Sequence, residues 1–502
     1  MMKCKMKQVA LAVGTVLGCL SAIPSAQAVN LATDGLGQVL IFPYYTTRAG
    51  WNTLLNITNT SDQVVVAKVR FHEAYNSRDV FDFNVIMSPH DVWNGTLSNG
   101  PGDVPVFSTS DTTCTVPAIP AGGQLLQGGG ANGLLAFTGS AGDGGPGTTD
   151  RLREGYITVT MMGTAAATET LAANAVHTSS RVPKDCAPLR SAFALSGTTI
   201  ADLKAHFGYT GNPLKGAFSL VNAANGWNAA SEAVTLANFF DPTLAPVGGG
   251  AAVPNLISAQ LPPASVGNIY NDSFHQPDLA DANTPGVYVD TAGTLQTGDP
   301  SGAPAVRYVL SRHSVVNQWA NRAVASTGWQ VHSDWIVTFP TKRFYTDSAN
   351  NEFGGRATGR SGLPTVFPTP FANFFSVPTA GQSCDPVTFK FYDREEQSPT
   401  QNSDAVFSPA PTPQGNSICA EANVLSFGAG ANSTATTVLG SPLGTGKIAA
   451  NVPTPTAYEN GWMQLDFGPG VQLPVVGFSV INRTDPAGLL NESYIVDHAY
   501  IR

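Results

Sequence analysis

Val65, Ala67, Val69 and Phe71 alternate with Val66, Lys68, Arg70 and His72. A period of two sends the two sets to opposite faces of an extended chain, so the stretch reads as a half-buried strand that needs a sheet around it. Val39 to Tyr45, Trp51 to Asn59 and Val64 to Phe71 form three successive strands, with turn chemistry at Thr60, Ser61 and Asp62. Phe81, Phe83, Val85 and Met87 give a fourth apolar face, with Asp82 and Asn84 turned the other way. Short alternating strands at this spacing predict an antiparallel β-sandwich. The 51 glycines and 36 prolines agree, because they supply the many turns such a fold needs.

The same signal returns further on. Gly155 to Met162 reads as a strand, and Trp335, Val337 and Phe339 alternate with Ile336 and Thr338. Val387, Phe389 and Phe391 form another alternating face, and Trp462 to Phe467 follows. Leu473 to Ile481 is apolar on both faces, which suits a central strand. Tyr494 to Ile501 can close the sheet. Between Pro117 and Asp150 the chain is dominated by Gly, Ala and Thr, as in a long surface insertion. The middle is less regular, and Ile200 to Phe207, Ala229 to Phe240 and Val315 to Val324 are expected as short helices. The expected fold is therefore mainly β, with two or more antiparallel sandwiches. Its parts are a β-sandwich with a Gly-rich insertion over 29–164, an irregular, partly helical region over 165–330 and a second β-sandwich over 331–502.

The first 28 residues carry an address. Lys3, Lys5 and Lys7 form a basic head, Gln8 to Leu20 is a short apolar run, and Pro24 precedes the small residues Ala26-Gln27-Ala28. This layout predicts a cleaved signal peptide ending at Ala28, with an apolar core too short to span a bilayer. Val16 to Cys19 loosely resembles a lipobox, but the later small-residue site is the more complete signal. No later stretch is apolar enough to cross a membrane as a helix. Secretion or cell-surface display is the expected destination.

Charge and cysteine usage follow from that address. The chain is formally −9, and the signal holds three lysines and no acid, so the remainder is −12 (−9 minus 3). An acidic chain without a basic run is not built to neutralise phosphates, which argues against a nucleic-acid partner. Cys4 and Cys19 leave with the signal, and four cysteines remain. An even number in an exported chain predicts disulfides, and pairing sequence neighbours gives Cys114–Cys186 and Cys384–Cys419. The four are too dispersed for a zinc knuckle, with no CxxC.

Several segments resemble a group of exported proteobacterial proteins. They are Gly37 to Asp62, Tyr75 to Trp93 (YNSRDVFDFNVIMSPHDVW), Arg153 to Ile157 (REGYI), Asp334 to Tyr345 (DWIVTFPTKRFY) and Phe391 to Glu396 (FYDREE). The resemblance runs through most of the chain in the same order. It implies a Gram-negative source and export, and it brings no catalytic or binding residue with it.

Motifs for chemistry are weak. Leu195-Ser196-Gly197 lacks the first glycine of a nucleophile elbow, no histidine pair has zincin spacing, and Gly444-Thr445-Gly446-Lys447 misses the phosphate-loop pattern. No cofactor is implied. Three histidines sit beside acids, at His72-Glu73, His90-Asp91 and Asp497-His498, but strand neighbours face opposite ways and make poor dyads. The cluster Asp393-Arg394-Glu395-Glu396 could supply one carboxylate of a glycosidase, with Asp82 or Asp334 as a distant partner. The commoner arrangement is ion pairing, with Arg70, Arg78, Arg343 and Arg394 on acids at strand ends. Asp278, Asp281 and Asn283 before Gly286 offer hard oxygens to calcium without EF-hand spacing. Trp51, Trp93, Trp335 and Trp462 could stack on sugars, but the strand positions of Trp51, Trp335 and Trp462 favour core packing. Tyr44 and Tyr45, after Pro43, are expected to be partly exposed.

Two readings of function follow. The first is a non-catalytic exported protein, a structural or adhesive component of the cell surface or matrix, partnered by itself, by other surface proteins or by polysaccharide. The second is a secreted carboxylate-dependent hydrolase acting on polysaccharide.

Overall fold

The alternating strands assemble into two stacked pairs of sheets. The structure is a computed structural model that describes residues 28–77, 79–126, 145–193, 203, 205–244, 277, 279–289, 295–297, 303–322, 328–346, 370–371, 382–394, 417–429, 437–441, 449–454 and 459–501. The signal-like segment 1–27, Arg78, Asp278, Glu395 and Glu396 lie outside these residues. The described chain is mainly β, built chiefly of antiparallel sheets.

In the first sandwich, the Gln63–Glu73 strand pairs with Glu154–Ala166 on one side and Asp79–Met87 on the other. Val39–Thr46 joins the far edge of Glu154–Ala166. The facing sheet is built around Asn52–Asn59, flanked by Leu214–Asn222 and Val92–Asn99. Between them lie Val65, Ala67, Val69 and Phe71 from one sheet and Leu55, Ile57, Trp93 and Phe218 from the other. Gly155 is required where strands meet, because a Cβ there would sit 1.8 Å from the His72 carbonyl oxygen.

The Gln63–Glu73 strand departs from the half-buried expectation. Val64 and Val66 enter a separate cluster with Leu189 and Phe193 of the Cys186–Phe193 helix. Lys68, Arg70 and His72 are buried too. The polar alternates thus face protein rather than water.

The second sandwich centres on Gln330–Thr338, paired with Val476–Thr484 and Ala422–Ala429. Val476–Thr484 also pairs with Asn491–Asp497, so the strand that is apolar on both faces is central, as its sequence predicts. The opposing sheet runs Thr388–Asp393, Asn460–Asp466, Ser314–Arg322, with Ala499–Ile501 on the last of these. Trp319 packs between the sheets against Phe391 and Phe427. Asn321 and Arg322 pair with His332 and Val331, which joins the two sheets at one end.

Two expected helices are strands. Ala229 to Phe240 spans parts of Trp227–Glu232 and Val234–Ala237, and Val315 to Val324 falls largely within Ser314–Arg322. The Asn225-Gly226 turn, with Gly226 at φ +69°, folds Trp227–Glu232 back on Leu214–Asn222. Val315 and Trp319 fill the second core at period two, and ladder partners on both sides outweigh the weak helical preference of the intervening residues. Of Ile200 to Phe207, Leu203, Ala205 and His206 are helical among the described residues. The stretch 165–330, expected to be irregular, therefore supplies strands to both sandwiches.

The disulfides join Cys114 to Cys186 and Cys384 to Cys419, closing separations of 72 and 35 residues. The first pins the Cys186–Phe193 helix to the Cys114–Val116 edge strand. Nonreducing peptide mapping should recover these two links and no Cys186–Cys384 link. Reducing either bond should cost about 2–4 kcal/mol of stability.

Candidate functional site

One apolar cluster runs through both sandwiches, and a layer of polar side chains joins them. His72, on the outer face of its strand, stacks on Tyr156 with ring centroids 4.6 Å apart and meets Arg343 at 2.8 Å. Arg343 also donates to the Ser77 carbonyl at 3.1 Å. Glu73 faces the other way and pairs with Arg151 at 3.0 Å, while accepting the amides of Tyr75 and Asn76. The turn so held offers the carbonyl of Ala74 to the amides of Glu421 and Ala422. Lys342 pairs with Asp385 at 2.7 Å beside the Cys384–Cys419 bond. Segments from the second, third and fourth resemblance stretches, distant in sequence, thus meet in this seam.

Asp334 grips a neighbouring loop. Its carboxylate accepts the amides of Val438 and Leu439 at 2.9 and 2.8 Å and the Ser426 hydroxyl at 2.7 Å. From the first sandwich, Trp51 Nε1 donates to the Val438 carbonyl at 2.9 Å. Burial pushes the Asp334 carboxyl up to about 7, against the three hydrogen bonds, which favour the charged form.

His498 is locked as a neutral ring. Its Nε2 donates to the Ile336 carbonyl at 2.8 Å, and its Nδ1 accepts from Asn317 at 2.8 Å. Burial lowers its pKa from 6.5 to about 3. The unfolded chain therefore binds the proton more tightly, so this contribution is complete above pH 6.5 and is lost as pH falls toward 3. A urea-denaturation series across that window should show the loss, and His498→Gln should lack this component.

The acid-flanked histidines do not form dyads with their sequence neighbours. His90 is exposed and pairs with Asp62 at 2.8 Å, and Asp497 accepts from Ser231 while His498 points inward. Arg70 pairs with Asp82 directly across adjacent strands at 3.2 Å, and Arg343 meets His72 at 2.8 Å. Asn283 is occupied by the backbone of Asp241, and no metal-holding group of three ligands occurs among the described residues. Tyr44 and Tyr45 are buried, not partly exposed. Tyr44 donates to Glu154 at 2.7 Å and Tyr45 to the Leu152 carbonyl at 3.1 Å; Tyr45 packs on Phe71 inside the first sandwich, and Thr338 of the second sandwich donates to the Pro43 carbonyl on the same strand.

The tryptophans divide. Trp51, Trp93 and Trp335 are core residues, whereas Trp462 is 38% exposed. Along Asn460–Asp466 the inward set is Met463 and Leu465, and Trp462 belongs to the outward set with Gln464 and Asp466. That parity is readable in the sequence and places Trp462 outside the apolar face assigned to it.

Trp462 opens onto a cleft of about 660 Å³ at the end where the two sheets join. Register sets Trp462 between Tyr392 and Gln318 on adjacent strands. Its ring stacks on Tyr392 at 4.1 Å with an interplanar angle of 11°. Gly461 permits the close approach beneath it, since a Cβ there would lie 1.9 Å from the Tyr392 carbonyl oxygen. Across the cleft, Trp329 lies under the Arg483 guanidinium at 4.9 Å, and Tyr494 contributes a further ring. Asp393 and Arg394 reach the same cleft, as does Arg322. Arg322 meets Glu459 at 3.1 Å and Arg483 meets Glu492 at 3.4 Å, with both acids outside the lining. Asp393, Arg394 and Trp462 are legible in the sequence, but not the cross-sheet partners Arg322, Trp329 and Arg483, which come together through the pairing of Val331 with Arg322 on one side and with Arg483 on the other.

Comparison of the chain with protein-family models, curated proteins and solved structures returns no match.

Proposed function

We propose that the chain is a non-catalytic exported protein, a structural or adhesive component of the cell surface, and that the cleft is where it holds polysaccharide. The observation that carries this reading is the exposed Trp462 ring, fixed flat against Tyr392 at the mouth of an open cleft. Flat aromatic faces bury well against the apolar faces of sugars. The two disulfides fit a life outside the reducing cytoplasm. The distant carboxylates proposed as partners for a catalytic Asp393 are engaged elsewhere, Asp82 with Arg70 and Asp334 with the 437–441 loop. Fractionation of the native host, with imaging of labelled protein, tests the reading. Continuous surface coverage or filaments support it, and a freely soluble monomer that releases sugars overturns it.

One observation favours the second reading. Asp393 shares the cleft with Trp462, as a secreted hydrolase would require. If that reading holds, Asp393→Asn abolishes sugar release while leaving binding intact.

A further inference from the structure

We propose that the cleft selects acidic polysaccharide, a chain carrying uronate carboxylates, over neutral glycan. This rests on the reading of the cleft as a polysaccharide site and names the class it takes. Its lining carries three arginines and one aspartate, and with Glu459 and Glu492, which Arg322 and Arg483 meet just outside it, the local formal charge is 0 (3 minus 3), so the recognition rests on the guanidinium donors rather than on a positive field. Only 26 lysines and arginines occur in 502 residues, so three arginines around one cleft is a concentration. Arginine's planar fork matches a carboxylate bidentately, which gives both orientation and charge recognition. The two ion-paired arginines meet their acids from outside the lining, through Nε of Arg322 and one terminal nitrogen of Arg483. Each guanidinium carries five N–H donors, so one such contact does not exhaust it. Arg394 is exposed and follows Asp393, which registers with Gly461, so it stands two residues from the level of the Trp462–Tyr392 stack, just past the end of the Thr388–Asp393 strand. A sugar ring lying on Trp462 therefore has a guanidinium within reach of a carboxylate on that ring or the next.

The test is titration of the full chain with oligogalacturonate and with a neutral cello-oligosaccharide of equal length, followed by tryptophan fluorescence. Oligogalacturonate should bind at least about tenfold more tightly, with affinity falling as salt rises. Trp462→Ala should weaken binding about tenfold, and Arg394→Gln should weaken oligogalacturonate binding alone. Both side chains are exposed, and unchanged circular dichroism checks that the variants fold. Equal affinity for the neutral chain, or no effect of Arg394→Gln, overturns the acidic selectivity and leaves the polysaccharide reading standing. Binding of neither oligosaccharide, nor of any member of a wider glycan panel, overturns both.

Discussion

Arg151→Met should destabilise the protein by about 3–5 kcal/mol, the cost of leaving a buried charge without its partner. Arg151 and Glu73 are both sealed from solvent and meet at 3.0 Å. Arg151 also donates to Asn76 at 3.0 Å and lies over the Tyr75 ring at 5.1 Å. The loss extends beyond one ion pair, because the turn they shape carries the backbone contacts from Ala74 to Glu421 and Ala422. The paired variant Glu73→Gln with Arg151→Met removes both charges and should recover much of the loss. Denaturant unfolding of wild type, Arg151→Met and the double variant measures it. A cost below about 1 kcal/mol for Arg151→Met would place the seam among contacts that contribute little.

Asp334→Ala should be comparably severe, because it strands two buried amides and a hydroxyl at about 1–3 kcal/mol each. Asp334→Asn keeps the shape and should be far milder. The pH dependence has a definite sign. The folded carboxyl, at about 7 against 3.8 unfolded, holds its proton more tightly than the unfolded chain does. Its contribution is complete below pH 3.8 and is lost as pH rises through 7. Wild type should therefore lose stability relative to Asp334→Asn across that window, opposite in direction to the His498 effect. Difference profiles against each variant separate the two groups. A flat profile for wild type minus Asp334→Asn contradicts the buried placement.

Strand positions were legible because hydrophobic alternation survives in them: Val39–Thr46, Asn52–Asn59 and Val476–Thr484 lie close to the stretches read from sequence. What alternation does not report is what covers the polar face. Lys68, Arg70 and His72 read as solvent-facing, yet the residues that bury His72 come from Tyr156 and Arg343, far along the chain. The cleft was half legible for the same reason. Tyr392, Asp393 and Arg394 are sequence neighbours, and the parity of Met463 and Leu465 turns Trp462 outward. Trp329 and Arg483 join them only through non-local pairing of Val331 with Arg322 and Arg483. The cysteine pairing was accessible because both bonds join neighbours in sequence.

Holding polysaccharide without cutting it is the central claim, and one measurement addresses both parts. Full-length protein is incubated with insoluble polysaccharides, acidic and neutral, and the pelleted protein and newly formed reducing ends are measured together. The expected result is co-sedimentation that drops about tenfold with Trp462→Ala, with reducing ends at the level of the protein-free control. Reducing ends that rise with wild type and vanish with Asp393→Asn would contradict it.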